Sequence, residues 1–162
     1  MDRLITPAYL KKGDAIGIVA ASRSVTEAEV DPILRSFEKK GYTWVLGKHL
    51  FQKDHQYAGS VDQRLEDLHR MYTMEEVKAV FVARGGYGCA QLLPGIDWEV
   101  IKKNPKWLIG FSDVSALHSA FNRYMKSIHG IMPYSLVMEE AQDGVSQDKL
   151  FDVLTGEKSA YR

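Results

Sequence analysis

The chain has 162 residues, 45% hydrophobic and 26% charged, which suits one globular domain with a proper core and excludes a disordered segment. Its 21 basic and 21 acidic residues cancel, which argues against a nucleic-acid footprint or attraction to an anionic membrane. Cys89 is the single cysteine, so no disulfide framework or cysteine-rich metal site is available, and no long apolar segment follows Met1, which leaves a cytoplasmic protein as the expectation.

Apolar runs of strand length alternate with helical patterns along the chain. Residues 14–21 (DAIGIVAA) read as a first buried strand, and residues 26–40 as an amphipathic helix, with Thr26 and Glu29 spaced as a capping box. Residues 42–46 form a second strand, 49–59 a polar loop, and 60–72 a second helix with Leu65 and Leu68 on its inner face. Residues 77–83 (VKAVFVA) are a third strand, apolar enough to be covered on both faces. Short helices are expected at 89–93 and 98–103, a fourth strand from Trp107, a helix from Asp113, and a short strand around Ile128. The apolar stretch 131–138, just before EEAQDG, suits either a core strand or helix or a linker lying against another domain. A last helix covers 147–154. This alternation predicts an α/β fold of three layers, a mainly parallel sheet with helices on both faces.

In such sheets ligands gather outside the carboxyl ends of the strands. That rule brings Ser22, the turn Arg84-Gly85-Gly86 and Ser112 to one rim, although they are far apart in sequence. Ser112 stands at the corner WLIGFSDVSALH, where strand gives way to helix. A hydroxyl there projects into open space beside the unpaired N–H groups and positive end of the following helix, conditions that suit a nucleophile. The same composition also suits a plain helix cap, and Val114 stands where a full G-x-S-x-G elbow has its second glycine. The segment ARGGYG after the third strand permits close approach of main chain to a ligand. One of its N–H groups, partnered by that of Asp113, would make an oxyanion cradle; equally, the glycines turn the chain and nothing more. Arg84 suits a substrate carboxylate, or a solvated strand-end charge.

The order DAIGIVAAS, FVARGGYG, LIGFSDVSALH and His129-Gly130 resembles the amino-terminal half of the LD-carboxypeptidase family, the serine peptidases that include the microcin-immunity hydrolases. The resemblance covers nearly the whole chain. It implies a flavodoxin-like or class I glutamine amidotransferase-like architecture over residues 1–162, with Ser112 as nucleophile and Gly86 and Asp113 as oxyanion donors. Arg84, Gly85 and Ser22 then fall on the substrate side. The implied reaction is hydrolysis of an amide between an L-centre and a D-amino acid, as in murein tetrapeptide recycling, with no metal or cofactor and with dimers common.

A serine needs a base, itself oriented by an acceptor. In the family a His and a Glu from a carboxyl-terminal domain serve, so the chain is expected to be the nucleophile-bearing domain without that partner, and inactive alone. His118 is turned away along the helix from Ser112, while His129, before a glycine at a strand end, reaches the same rim. A self-contained hydrolase using His129 and a non-catalytic anion- or nucleotide-binding module therefore stand as competing accounts. Murein peptide and microcin-type conjugate are not separable from these residues.

Overall fold

The structure, a computed structural model, describes residues 4–137 and 145–158; Met138 and the EEAQDG segment lie outside the described residues. Five strands form one all-parallel sheet in the order β2-β1-β3-β4-β5: β1 Ala15–Val19, β2 Thr43–Leu46, β3 Val77–Val82, β4 Trp107–Gly110 and β5 Ile128–His129. Helices α1 (Glu27–Lys39), α2 (Val61–Thr73), α3 (Trp98–Lys103), α4 (Ser115–Phe121) and α5 (Val145–Leu154) cover it.

The period-two alternation of the strands divides the core in two. Ile16, Ile18, Ala79, Phe81 and Ile109 face α1 and α5, where Val30, Ile33 and Phe37 meet Leu150, Phe151 and Leu154. Phe37 lies edge-on to Phe81 at 5.2 Å and to Phe151 at 5.9 Å. On the other face Val19, Val80, Val82 and Leu108 pack under α2, α3 and α4 through Leu68, Met71, Ile101, Leu117 and Phe121. Covering both faces is what continuous apolar strands demand. A register shift interrupts the alternation: Ala15 pairs with Val77 but Ile16 with Ala79, so Lys78 is an extra residue and Val77 joins the same core as Val80. Gly17 has a packing reason, since a Cβ there would come within 2.8 Å of the Met71 sulfur.

The helix starts follow their sequence signals. The Thr26 N–H donates to Glu29 Oε2 at 2.8 Å, and at α2 the Ser60 N–H donates to Gln63 Oε1 at 2.9 Å while Gln63 N–H returns to Ser60 Oγ at 3.2 Å. The expected helix at 89–93 is a 3-10 turn over Cys89–Gly95. In the described part of the 131–138 stretch, Pro133–Val137 is another 3-10 turn. Met132 is buried in one core and Leu136 in the other, and the Tyr134 N–H donates to the Ala83 carbonyl at 2.9 Å, which fastens the turn to the end of β3.

From β1 the chain moves outward to β2 in one direction and to β3 in the other. The loops after β1 and β3 therefore part at this point and leave a crevice at the carboxyl ends of the strands.

Candidate active site

β4 ends at Gly110, Phe111 is extended (φ −148°, ψ −173°), and Ser112 adopts φ 62° before the 3-10 turn Ser112–Val114 leads into α4. A capping serine has extended backbone. Ser112 does not, and the left-handed region holds a non-glycine residue at a cost of about 1–3 kcal/mol that the surroundings must impose. Gly110 is part of that imposition, because a Cβ there would stand 2.9 Å from both Val114 methyls. The reversal leaves Ser112 exposed at the rim. The helix expected from Asp113 thus begins later, at Ser115, because the turn occupies its first residues.

The turn after β3 lies directly against this serine. A Cβ on Gly85 would sit 3.0 Å from Ser112 Cβ and 3.2 Å from its Oγ, so only glycine permits the approach. Gly86 has φ 126°, a conformation closed to other residues. Ser112, Gly85, Gly86 and Arg84 line one cavity of ≈ 240 Å³, together with Arg23, Phe111, Met132 and Tyr134. Arg84 is held from two sides: Nη1 reaches Glu29 Oε1 at 3.3 Å, and the guanidinium lies over the Tyr134 ring at 3.9 Å.

Asp113 points its carboxylate away from the cavity. Its Oδ2 accepts the Ser22 hydroxyl at 2.5 Å and the Cys89 N–H at 2.9 Å. Ser22 departs from its expected place on the substrate side: its side chain is wholly buried and faces Asp113 and the Cys89 sulfur, 3.1 Å away. The physical reason is that a buried hydroxyl must find an acceptor, and the Asp113 carboxylate lies within reach. Ser22 is therefore a fastening between the end of β1 and the serine turn. Burial pushes the Cys89 thiol up to about 12, so it is a packing group at neutral pH.

A second fastening is absent from the sequence reading. Arg64 of α2 is buried, and its guanidinium donates to the carbonyls of Ala21 at 2.9 Å and Gly88 at 3.2 Å, and to Gln91 Oε1 at 2.7 Å. It ties the loops after β1 and β3 to each other. Nothing in a helical periodicity distinguishes such an arginine from a solvated one. Arg23, by contrast, follows Ser22 on the rim and was open to the same strand-end rule. Met132 and Tyr134 arrive from a 3-10 turn that carries no periodic signal.

Four of the five histidines are engaged in structural pairs. His49 meets Glu66 at 2.9 Å, His55 meets Asp54 at 2.8 Å, and His69 accepts the Asp97 N–H at 2.9 Å. His118 is buried, its Nε2 donating to the Gly110 carbonyl at 2.8 Å and its Nδ1 2.7 Å from Ser127 Oγ. His129 is exposed, edge-on to Phe111 with ring centres 6.1 Å apart. Among the described residues, no imidazole or carboxylate hydrogen-bonds the Ser112 hydroxyl, and no cluster of three metal-ligating side chains occurs.

Residues 16–130 match the family described as the LD-carboxypeptidase N-terminal domain. The chain belongs to the LD-carboxypeptidase family. Over 117 residues it is 43% identical to the murein tetrapeptide carboxypeptidase of Pseudomonas aeruginosa, covering 71% of this chain and 38% of that protein. It is 39% identical over 128 residues to the probable murein peptide carboxypeptidase of Bacillus subtilis, covering 78% and 40%. The crystal structure of an MccF-like protein from Bacillus anthracis superposes with a TM-score of 0.84 at 28% identity, over 93% of this chain and 47% of that one. The chain spans about two fifths of the length of the curated relatives named here. As the family's amino-terminal domain it has the expected α/β architecture, and the sheet is parallel throughout. No helix among the described residues is long and apolar enough to cross a membrane.

Proposed function

We propose that this chain is the nucleophile-bearing domain of a cytoplasmic serine carboxypeptidase that cleaves the amide between an L-centre and a D-amino acid in murein peptides. The observation that carries the reading is the strained Ser112 (φ 62°) standing against the Gly85-Gly86 turn. Ser112 Oγ attacks the scissile carbonyl and gives its proton to a base. The new oxyanion lies between the N–H groups of Gly86 and Asp113, donors fixed before the reaction and stronger toward the anion than toward the carbonyl. The C–N bond then breaks, the protonated amine leaves as the D-amino acid, and water repeats the sequence on the acyl-serine. The buried partners of the Asp113 carboxylate keep its backbone in place while charge develops. The base and its orienting carboxylate come from outside the described residues, because the local histidines are otherwise engaged or lack contact with Ser112.

The test is a fusion of the chain to the residues that follow the matching part of the Pseudomonas relative. Release of D-alanine from murein tetrapeptide is expected, with a loss of at least about 10³-fold on Ser112→Ala. Turnover that survives the substitution overturns the assignment. A second reading, a non-catalytic anion- or nucleotide-binding module, draws on Arg23 and Arg84 beside the glycine turn. It is favoured if the chain binds adenosine monophosphate with an affinity indifferent to Ser112→Ala.

A further inference from the structure

Two arginines reach the cavity in front of Ser112, and their surroundings differ. Arg84 is committed, with Glu29 on its edge and Tyr134 under its face. Arg23 is exposed, and among the described residues its guanidinium has no hydrogen-bond or ion-pair partner. Its stem is nonetheless held. A Cβ on Gly86 would come 2.7 Å from Arg23 Cγ and 2.8 Å from Cδ, so the arginine lies across the turn that flanks the serine. On its main chain, Arg23 bridges to Tyr57, and the Ser24 N–H donates to the Gln56 carbonyl at 3.2 Å, which steadies the loop from which it projects. Arg23 also lines a neighbouring depression of ≈ 210 Å³ with Lys53 and Arg84, so the approach to the cavity is basic. Asp54, from the same polar loop, is already paired with His55 at 2.8 Å.

An amide cleaved one residue from its carboxyl end carries a carboxylate close to the scissile carbonyl. Such a group needs a planar donor pair that is placed but not already spent. We infer that Arg23 receives the terminal carboxylate of the leaving amino acid, with Arg84 acting as a braced wall of the cavity. This rests on the carboxypeptidase reading of the site, and it assigns to Arg23 the recognition expected of Arg84 from sequence. It also gives a physical reason for cleavage at the chain end: an internal peptide bond offers Arg23 no carboxylate, and the arginine is left unpaired when substrate displaces its water.

Equilibrium binding of a murein tetrapeptide and of its carboxyl-terminal amide to the 162-residue chain tests the assignment. The free acid is expected to bind about tenfold more tightly than the amide. Arg23→Gln should abolish that preference without weakening the amide, Arg23→Lys should keep part of it, and Arg84→Gln should leave the ratio between the two peptides unchanged. Equal binding of acid and amide by the unaltered chain, or a preference that survives Arg23→Gln, overturns the role of Arg23 while the peptide site stands. Failure of both peptides to bind overturns it together with the reading on which it rests.

Discussion

Ser112 holds a backbone conformation that a glycine holds freely, and the exposed hydroxyl gains no hydrogen bond among the described residues in return. Strain of this kind persists only where neighbours over-determine it. Here Gly110 admits the Val114 methyls, and Asp113 is fixed through Ser22 and Cys89. Replacing Ser112 by glycine should therefore stabilise the fold by about 0.5–1 kcal/mol, the relieved strain less the added freedom of the unfolded chain. Ser112→Ala, which keeps the Cβ, should stay near the original stability. Urea midpoints of the three proteins measure this, and a glycine variant less stable than the alanine variant would contradict it. The position of Ser112 at a strand end was legible from apolar run and helical spacing. Its dihedral was not, because one sequence suits a cap and a reversal alike. Ser22 shows the same limit: the rim rule located its backbone, but the direction of its side chain depends on Asp113, ninety-one residues away.

At the scale of elements, His118 joins three pieces of the site's scaffold. It sits in α4, donates to the last carbonyl of β4, and meets Ser127 just before β5. Burial lowers its pKa, with the neighbouring His129 acting in the same direction and the Gly110 carbonyl opposing. The unfolded imidazole takes its proton near pH 6.5, whereas the folded one waits for a lower pH. Between those two values the unfolded state binds more protons, so stability is full above about pH 6.5 and falls on acidification. His118→Gln removes the titration, and its stability should decline less steeply between pH 7 and 5 than that of the unaltered chain. Parallel slopes in urea titrations across that range would refute the account. The strands and larger helices were legible because Ile16 and Ile18, or Leu65 and Leu68, repeat at the period of their element. The extra residue at Lys78 and the turn at Pro133–Val137 were not, since a bulge and a 3-10 turn leave no period to read.

The molecule as a whole separates folding from chemistry. Both faces of the sheet are covered by the chain's own helices, and Trp107 and Leu154 lie in the same buried cluster as Ile16 and Phe37, so distant segments share one core. Such continuity predicts one cooperative transition, with far-ultraviolet dichroism and tryptophan fluorescence coinciding in urea. The proposed chemistry is different in kind. The strand-end rule gathers Ser112 and the Gly85-Gly86 turn at the crevice between the β1 and β3 loops, yet no general base lies in contact with Ser112 among the described residues. A serine without a base retains only binding and oxyanion stabilisation, far below the rate of a complete triad. The isolated chain is therefore expected to be fully folded and to release D-alanine at no more than about one thousandth of the rate of the fused protein. A coincident unfolding transition combined with negligible release supports a base supplied from outside these residues. A folded chain whose turnover lies within tenfold of the fusion would refute that division, and loss of the turnover on His129→Ala would move the base to β5.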